Sequence, residues 1–141
     1  MEFVDLTPDD PRWSEALPVL QELRPHLTTA SLQQVLHEGE PQGLSFTALY
    51  DDDDRCCAVA GWRVVANTSA IRKLYVDDLS TTAGARSQGF GGRLLTELAR
   101  RGSEAGCRSM DLDSGVQRYA AHRFYLRERM NITAHHFTRQ L

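Results

Sequence analysis

Residues Arg86-Ser87-Gln88-Gly89-Phe90-Gly91-Gly92 constrain this chain more than any other stretch. The stretch from Ile71 to Thr81 precedes them and reads as a strand. The helical spacing of Phe90, Leu94, Leu95 and Leu98 follows and reads as a helix from Phe90 to Arg101. Glycines let the backbone take positive φ and approach a ligand closely. A glycine-rich turn into a helix leaves several N–H groups without intrahelical partners. The helix dipole adds positive charge there, which suits an anion and above all a phosphate. Alone, a pattern this short is equally that of a plain glycine-rich loop.

Two familiar phosphate loops do not fit. A triphosphate loop needs Lys-Ser or Lys-Thr after its last glycine, and neither pair follows. A dinucleotide fingerprint needs G-x-G-x-x-G early in a βαβ unit, with an acid about twenty residues on. Here the spacing is Arg-x-x-Gly-x-Gly-Gly, past the middle of the chain.

That spacing resembles the [QR]-x-x-G-x-[GA] pyrophosphate loop of the GNAT superfamily of N-acetyltransferases. The segments around it are similar too. Leu74-Tyr75-Val76-Asp77-Asp78-Leu79 matches the strand that enters the loop, and Ser109-Met110-Asp111-Leu112-Asp113 matches the strand after the helix. Ala121-His122-Arg123-Phe124-Tyr125 matches the A-x-x-[FL]-Y end of the family's last helix, and Ile132 to Phe137 resembles its final strand. The match covers roughly residues 56 to 137. Arg118 stands where the family often has Asn, and Arg129-Met130 where it often has Gly-Phe.

The N-terminal part reads from its own punctuation. Phe3 to Leu6 is a short strand. Asp9 or Asp10 caps a helix holding Trp13, Ala16, Leu17, Leu20 and Leu23. Thr28 or Thr29 caps a second helix with Leu32, Val35 and Leu36. Leu44 to Tyr50 and Cys56 to Val65 are strands around an acidic tip, Asp51 to Asp54, read as a solvated hairpin turn. Val116 to Arg129 is a helix with Val116, Ala120, Ala121 and Phe124 on its apolar face. The expectation is one α/β N-acetyltransferase-like domain over residues 1–141. Its GNAT-like sheet is mixed, mostly antiparallel and flanked by helices, in the order β-α-α-β-β-β-α-β-α-β.

A length of 141 residues, 41% hydrophobic and 25% charged, suits one buried core. A net charge of −3 implies no general attraction to nucleic acid. Arg93, Arg100 and Arg101 on one helix, with Arg118, Arg123 and Arg127 on the next, offer a local basic patch or simply solvated faces. The acidic N-terminus is no signal peptide, and no apolar run approaches the ~18 residues of a membrane span. No membrane association and a cytoplasmic location are expected. Cys56, Cys57 and Cys107 lack metal spacing and read as reduced thiols. The histidines do not converge, and no metal is expected.

The resemblance implies acetyl-CoA as co-substrate and an amine as acceptor, a small molecule or a peptide. Arg86, Ser87, Gln88, Gly89, Phe90, Gly91 and Gly92 would hold the pyrophosphate. The backbone of Leu79, Ser80 and Thr81 would pair with the pantetheine between two splayed strands, and Arg118 falls at a cofactor-contacting position. Tyr125 matches the family's tyrosine beside the departing thiolate. An acid near the entering strand would deprotonate the amine. Asp77 and Asp78 are adjacent, so they point to opposite faces unless a bulge intervenes. An acid stands at the Asp77 position in polyamine-type relatives, which favours Asp77. The alternatives are that both acids only position substrate or pair with arginines, and that Tyr125 is a core aromatic. Trp13, Arg24, Trp62 and Arg63 are available to an acceptor pocket. A non-catalytic acyl-CoA-binding or regulatory module is the competing reading. A homodimer would be in keeping with the family.

Overall fold

A computed structural model describes residues 1–141. The elements run β1 (Glu2–Asp5), α1 (Trp13–Leu23), α2 (Thr29–Gly39), β2 (Ser45–Tyr50), β3 (Cys56–Val65), β4 (Lys73–Thr81), α3 (Phe90–Glu104), β5 (Ser109–Leu112) and α4 (Tyr119–Arg127). This is the expected mixed α/β architecture, a five-stranded sheet in the order β1-β2-β3-β4-β5 flanked by helices. The β1–β2, β2–β3 and β3–β4 pairs are antiparallel. Contacts divide the chain into two compact units, Met1–Asp111 and Leu112–Leu141.

In the first unit, one sheet face packs on α1 and α2. Phe46, Ala48 and Val59 join Trp13, Ala16, Val19, Leu20, Leu32 and Leu36 in one buried cluster. Trp13 meets Phe46 edge to face at 5.0 Å. Alternation sends Thr47 to the other face, where its hydroxyl meets Arg101 of α3. Gly102 of α3 faces β4, where a β-carbon would sit 3.4 Å from Leu74 Cβ, in ordinary van der Waals contact. The expected cap forms on α2, whereas the N-cap of α1 is Arg12 and not Asp9 or Asp10. Asp10 accepts the Arg12 backbone N–H at the entry to α1. Thr28 and Ser31 form a reciprocal capping box on α2.

In the second unit, α4 is shorter than the expected Val116–Arg129. Val116 is 82% exposed and lies before the helix. The Gly115 carbonyl instead accepts the Arg118 N–H at 3.0 Å and meets His122 Nε2 at 2.8 Å, which makes the stretch a turn. The exit is a Schellman motif. Met130 N–H donates to the Tyr125 carbonyl and Arg129 N–H to that of Leu126, with Arg129 at φ 64°.

The expected last strand, Ile132 to Phe137, does not form: residues 131–141 carry neither helix nor strand. Ile132 is 74% and Phe137 91% exposed, so their apolar pattern buries nothing that would fix a strand register. The strand over Ile71 to Thr81 also begins late, at Lys73. Ile71 sits at φ 65° in a turn closed by its N–H on the Asn67 carbonyl.

Candidate active site

β4 carries a bulge where the candidate acids stand. Gly61 pairs with Asp78 and the next residue, Trp62, with Val76, so Asp77 is an extra residue on β4. The bulge inverts the alternation. Leu74 faces α3, and Val76, opposite Trp62, shares that face. Beyond the bulge, Ser80 Oγ donates to the Val19 carbonyl of α1 at 2.6 Å, and Asp78 turns the same way. Asp77 and Asp78 therefore share the α1 face instead of splitting between the two.

Each acid has an arginine. Arg63 Nε and Nη2 grip Asp77 through both carboxylate oxygens at 3.0 Å, and Arg63 Nη1 donates to Gln42 Oε1 at 3.3 Å. Arg24, at the end of α1, donates from Nε to Asp78 Oδ1 at 2.9 Å and from Nη2 to the Asp77 carbonyl at 3.3 Å. Pairs of this bidentate kind fix orientation as well as charge. Of the four residues available to an acceptor pocket, Arg24 and Arg63 reach these acids. Trp13 is buried in the core, its Nε1 on the Thr7 carbonyl, and Trp62 lies on the α3 face with its Nε1 on Thr47.

The far end of β4 is open on one side. β5 begins where Arg108 N–H donates to the Arg72 carbonyl, and its four residues span about 13 Å. Whatever its direction, it cannot reach the last residues of the nine-residue β4. Leu79, Ser80 and Thr81 pair on the other side with Ala60, Val59 and Ala58. The Ser80 side chain is buried and committed to Val19, leaving only its backbone for a ligand.

The glycine-rich turn follows. Gly89 caps α3 at φ 83°, and Ser87 is also left-handed at φ 69°. The first helical hydrogen bond runs from Arg93 N–H to the Gly89 carbonyl. The N–H groups of Gly89, Phe90, Gly91 and Gly92 therefore have no intrahelical acceptor. Arg86 Nε reaches back to the Thr81 carbonyl at 3.4 Å, and Gln88 Nε2 to that of Gly84 at 3.3 Å. Glu22 takes the Ala83 N–H on both carboxylate oxygens at 3.1 Å. Neither this brace nor Gln42 carries a sequence signal, because each joins distant segments. Of the basic residues on α3, Arg100 and Arg101 both donate to Glu97, while Arg100 Nη1 reaches Glu104 and Arg101 Nη1 reaches Asp5.

Within the second unit, Tyr125 is part-buried, with its ring centroid 5.2 Å from that of Phe124. Burial pushes its hydroxyl above the ordinary range, while the charge and hydrogen bond of Arg118 pull it back. The residue in place of the usual Asn thus acts on the candidate acid. Burial pushes the Cys56 thiol up to about 12, which opposes any thiolate role there.

A family model for the GNAT acetyltransferase family matches residues 6–130, spanning both units. The chain belongs to that family. An uncharacterized N-acetyltransferase, YhdJ of Bacillus subtilis, is 33% identical over 114 residues, 80% of each chain. A putative acetyltransferase from Agrobacterium tumefaciens superposes at TM-score 0.83, with 20% identity and full coverage of both chains. The aminoglycoside N-acetyltransferase AAC(6')-Iy, solved with CoA, superposes at 0.82 with 14% identity, covering 99% of this chain and 93% of that one. No helix of this family member is long and apolar enough to cross a membrane.

Proposed function

We propose that this acetyltransferase moves an acetyl group from acetyl-CoA to the amine of a small acceptor, with residues 1–141 acting as one domain. The observation that carries the reading is the row of four unclaimed N–H groups at Gly89 to Gly92, opened by a left-handed glycine. Such a row fits a pyrophosphate. Acetyl-CoA supplies an activated thioester when bound. The backbone of Leu79, Ser80 and Thr81, along the open edge of β4, orients the arm that leads from the loop toward the bulge. Asp78 takes the proton from the acceptor amine. Its Oδ2 accepts no hydrogen bond, whereas both oxygens of Asp77 are held by Arg63. This favours Asp78 over Asp77 and makes Asp77 the anchor of a wall formed by Asp77, Asp78, Arg24 and Arg63. Tyr125 gives a proton to the leaving sulfur, and Arg118 orients that hydroxyl. Attack is direct, since no nucleophile with an adjacent base lies in the wall.

The test is thermal stability with CoA and acetyl-CoA. A ligand that binds only the folded state adds RT ln(1 + [L]/Kd), about 2.7 kcal/mol at a hundredfold excess over Kd. A rise in Tm with both ligands is expected, and its loss in Gly91→Glu. A carboxylate in the first turn favours the helix itself, so that variant should fold. No Tm rise at millimolar acetyl-CoA overturns the reading.

A further inference from the structure

The two arginines of the bulge are not used alike. Arg63 commits Nε and Nη2 to Asp77 and Nη1 to Gln42, and its side chain is 22% exposed. It is a positioning residue for Asp77. Arg24 engages Nε and Nη2, leaves Nη1 without a hydrogen bond, and is 45% exposed. Beside it, Asp78 offers the unpaired Oδ2 on the same face of the sheet. An unused guanidinium N–H and an unused carboxylate oxygen thus stand on one ion pair.

The wall also lacks the excess of acid that a polycation would require. Asp77 and Asp78 are matched by Arg63 and Arg24, which leaves Glu22, whose oxygens accept the neutral Ala83 N–H, as the one uncompensated charge. A polyamine or aminoglycoside would bring several positive charges to a surface with a single uncompensated acid and a half-exposed arginine. Like charges brought together cost binding energy and act against that partner. A molecule with one amine next to one carboxylate matches both groups at once. Its amine meets Asp78 Oδ2, and its carboxylate takes a charge-assisted hydrogen bond from Arg24 Nη1.

We infer that the acceptor is a zwitterion of the α-amino-acid type, and that Arg24 determines this specificity by binding its carboxylate. The inference rests on the acetyltransferase reading of the same wall. The ammonium of the zwitterion first gives a proton to Asp78; the freed amine nitrogen then bonds the acetyl carbon, the carbon–sulfur bond breaks, and the second proton lost by the nitrogen makes good the one that the sulfur takes on leaving as the thiol of CoA.

The experiment compares the twenty common L-amino acids, their α-amides, spermidine and kanamycin. Each is scored by thiol release from acetyl-CoA and by calorimetric binding in saturating CoA. At least one amino acid is expected to bind tenfold or more tighter than its amide and to be favoured in kcat/KM by a similar factor. Arg24→Gln should collapse that acid-to-amide ratio toward one, and Arg24→Lys should restore part of it. Any change in Asp78 basicity affects acid and amide alike, so a purely structural role for Arg24 would leave the ratio unmoved. Equal binding of acid and amide, no binding of any amino acid, preference for spermidine or kanamycin, or an unchanged ratio in Arg24→Gln overturns the inference. Amino-acid binding that shows the ratio but no thiol release upholds the inferred site and defeats only the catalytic reading.

Discussion

Gly61 stands directly opposite Asp78 across the β3–β4 pair, and a β-carbon on it would lie 2.8 Å from Phe46 Cε1 and 3.3 Å from Asp78 Oδ2. The glycine lets the core ring and the Asp78 carboxylate crowd against one backbone position. Gly61→Ala forces one of them to move. A loss of about 1–3 kcal/mol is expected, the range for overpacking a tight core. The urea midpoint measures it. On the proposed reading, acceptor KM should rise with it, while CoA affinity stays the same. An unchanged midpoint would show that Phe46 gives way without cost.

Arg129 holds a left-handed conformation at the end of α4, where the motif ordinarily uses glycine. A side chain there costs roughly 1–2 kcal/mol relative to one without a β-carbon. Arg129→Gly should therefore stabilise the chain, by about 1 kcal/mol once the unfolded state's added freedom is subtracted. Chemical denaturation measures the gain. A neutral or destabilising result would mean that the arginine makes up for its strain.

Glu97 gives the pH dependence of stability a definite sign. Arg100 and Arg101 both donate to its carboxylate, at 2.8 Å, and hold it down at about 2 against an ordinary 4.5. A carboxyl lowered in the folded state adds stability that is complete above pH 4.5 and is lost as pH falls through about 2. Glu97→Gln should be less stable than the parent at pH 7, with the gap closing toward pH 2. Urea midpoints at several pH values test this. A gap independent of pH would trace the effect to packing.

Tyr125→Phe keeps the ring against Phe124 and removes only the hydroxyl. If the hydroxyl protonates the leaving sulfur, kcat falls ~10²-fold and CoA affinity holds. A purely structural tyrosine would leave kcat unchanged. Burial raises this hydroxyl above its ordinary 10, so it remains a proton donor at neutral pH. The associated stability is present below pH 10 and is lost as pH rises through the folded-state value. Absorbance titration of the tyrosinate, folded and in urea, reads the shift. Arg118→Ala should raise the folded value further, because Arg118 pulls it down.

Local chemistry was legible in the sequence itself. The cap at Thr28, the αL glycine at Gly89 and the 3.6-residue spacing of Leu94, Leu95 and Leu98 act over a few residues. The loop's spacing sufficed to point to the family. The side-chain directions of Asp77 and Asp78 were not legible, since they depend on one extra residue placed by pairing with β3, and no propensity encodes a register shift. The pairing of Arg24 with Asp78 spans 54 residues, and that of Arg63 with Asp77 spans 14. The failure of Ile132 to Phe137 to become a strand has the same root. A strand exists only where another edge accepts its hydrogen bonds. Local sequence thus determined the cap of α2 and the left-handed glycine that opens α3. Only tertiary pairing decided which acid keeps an unclaimed oxygen and which arginine stands beside it, because those contacts join segments that the sheet brings together.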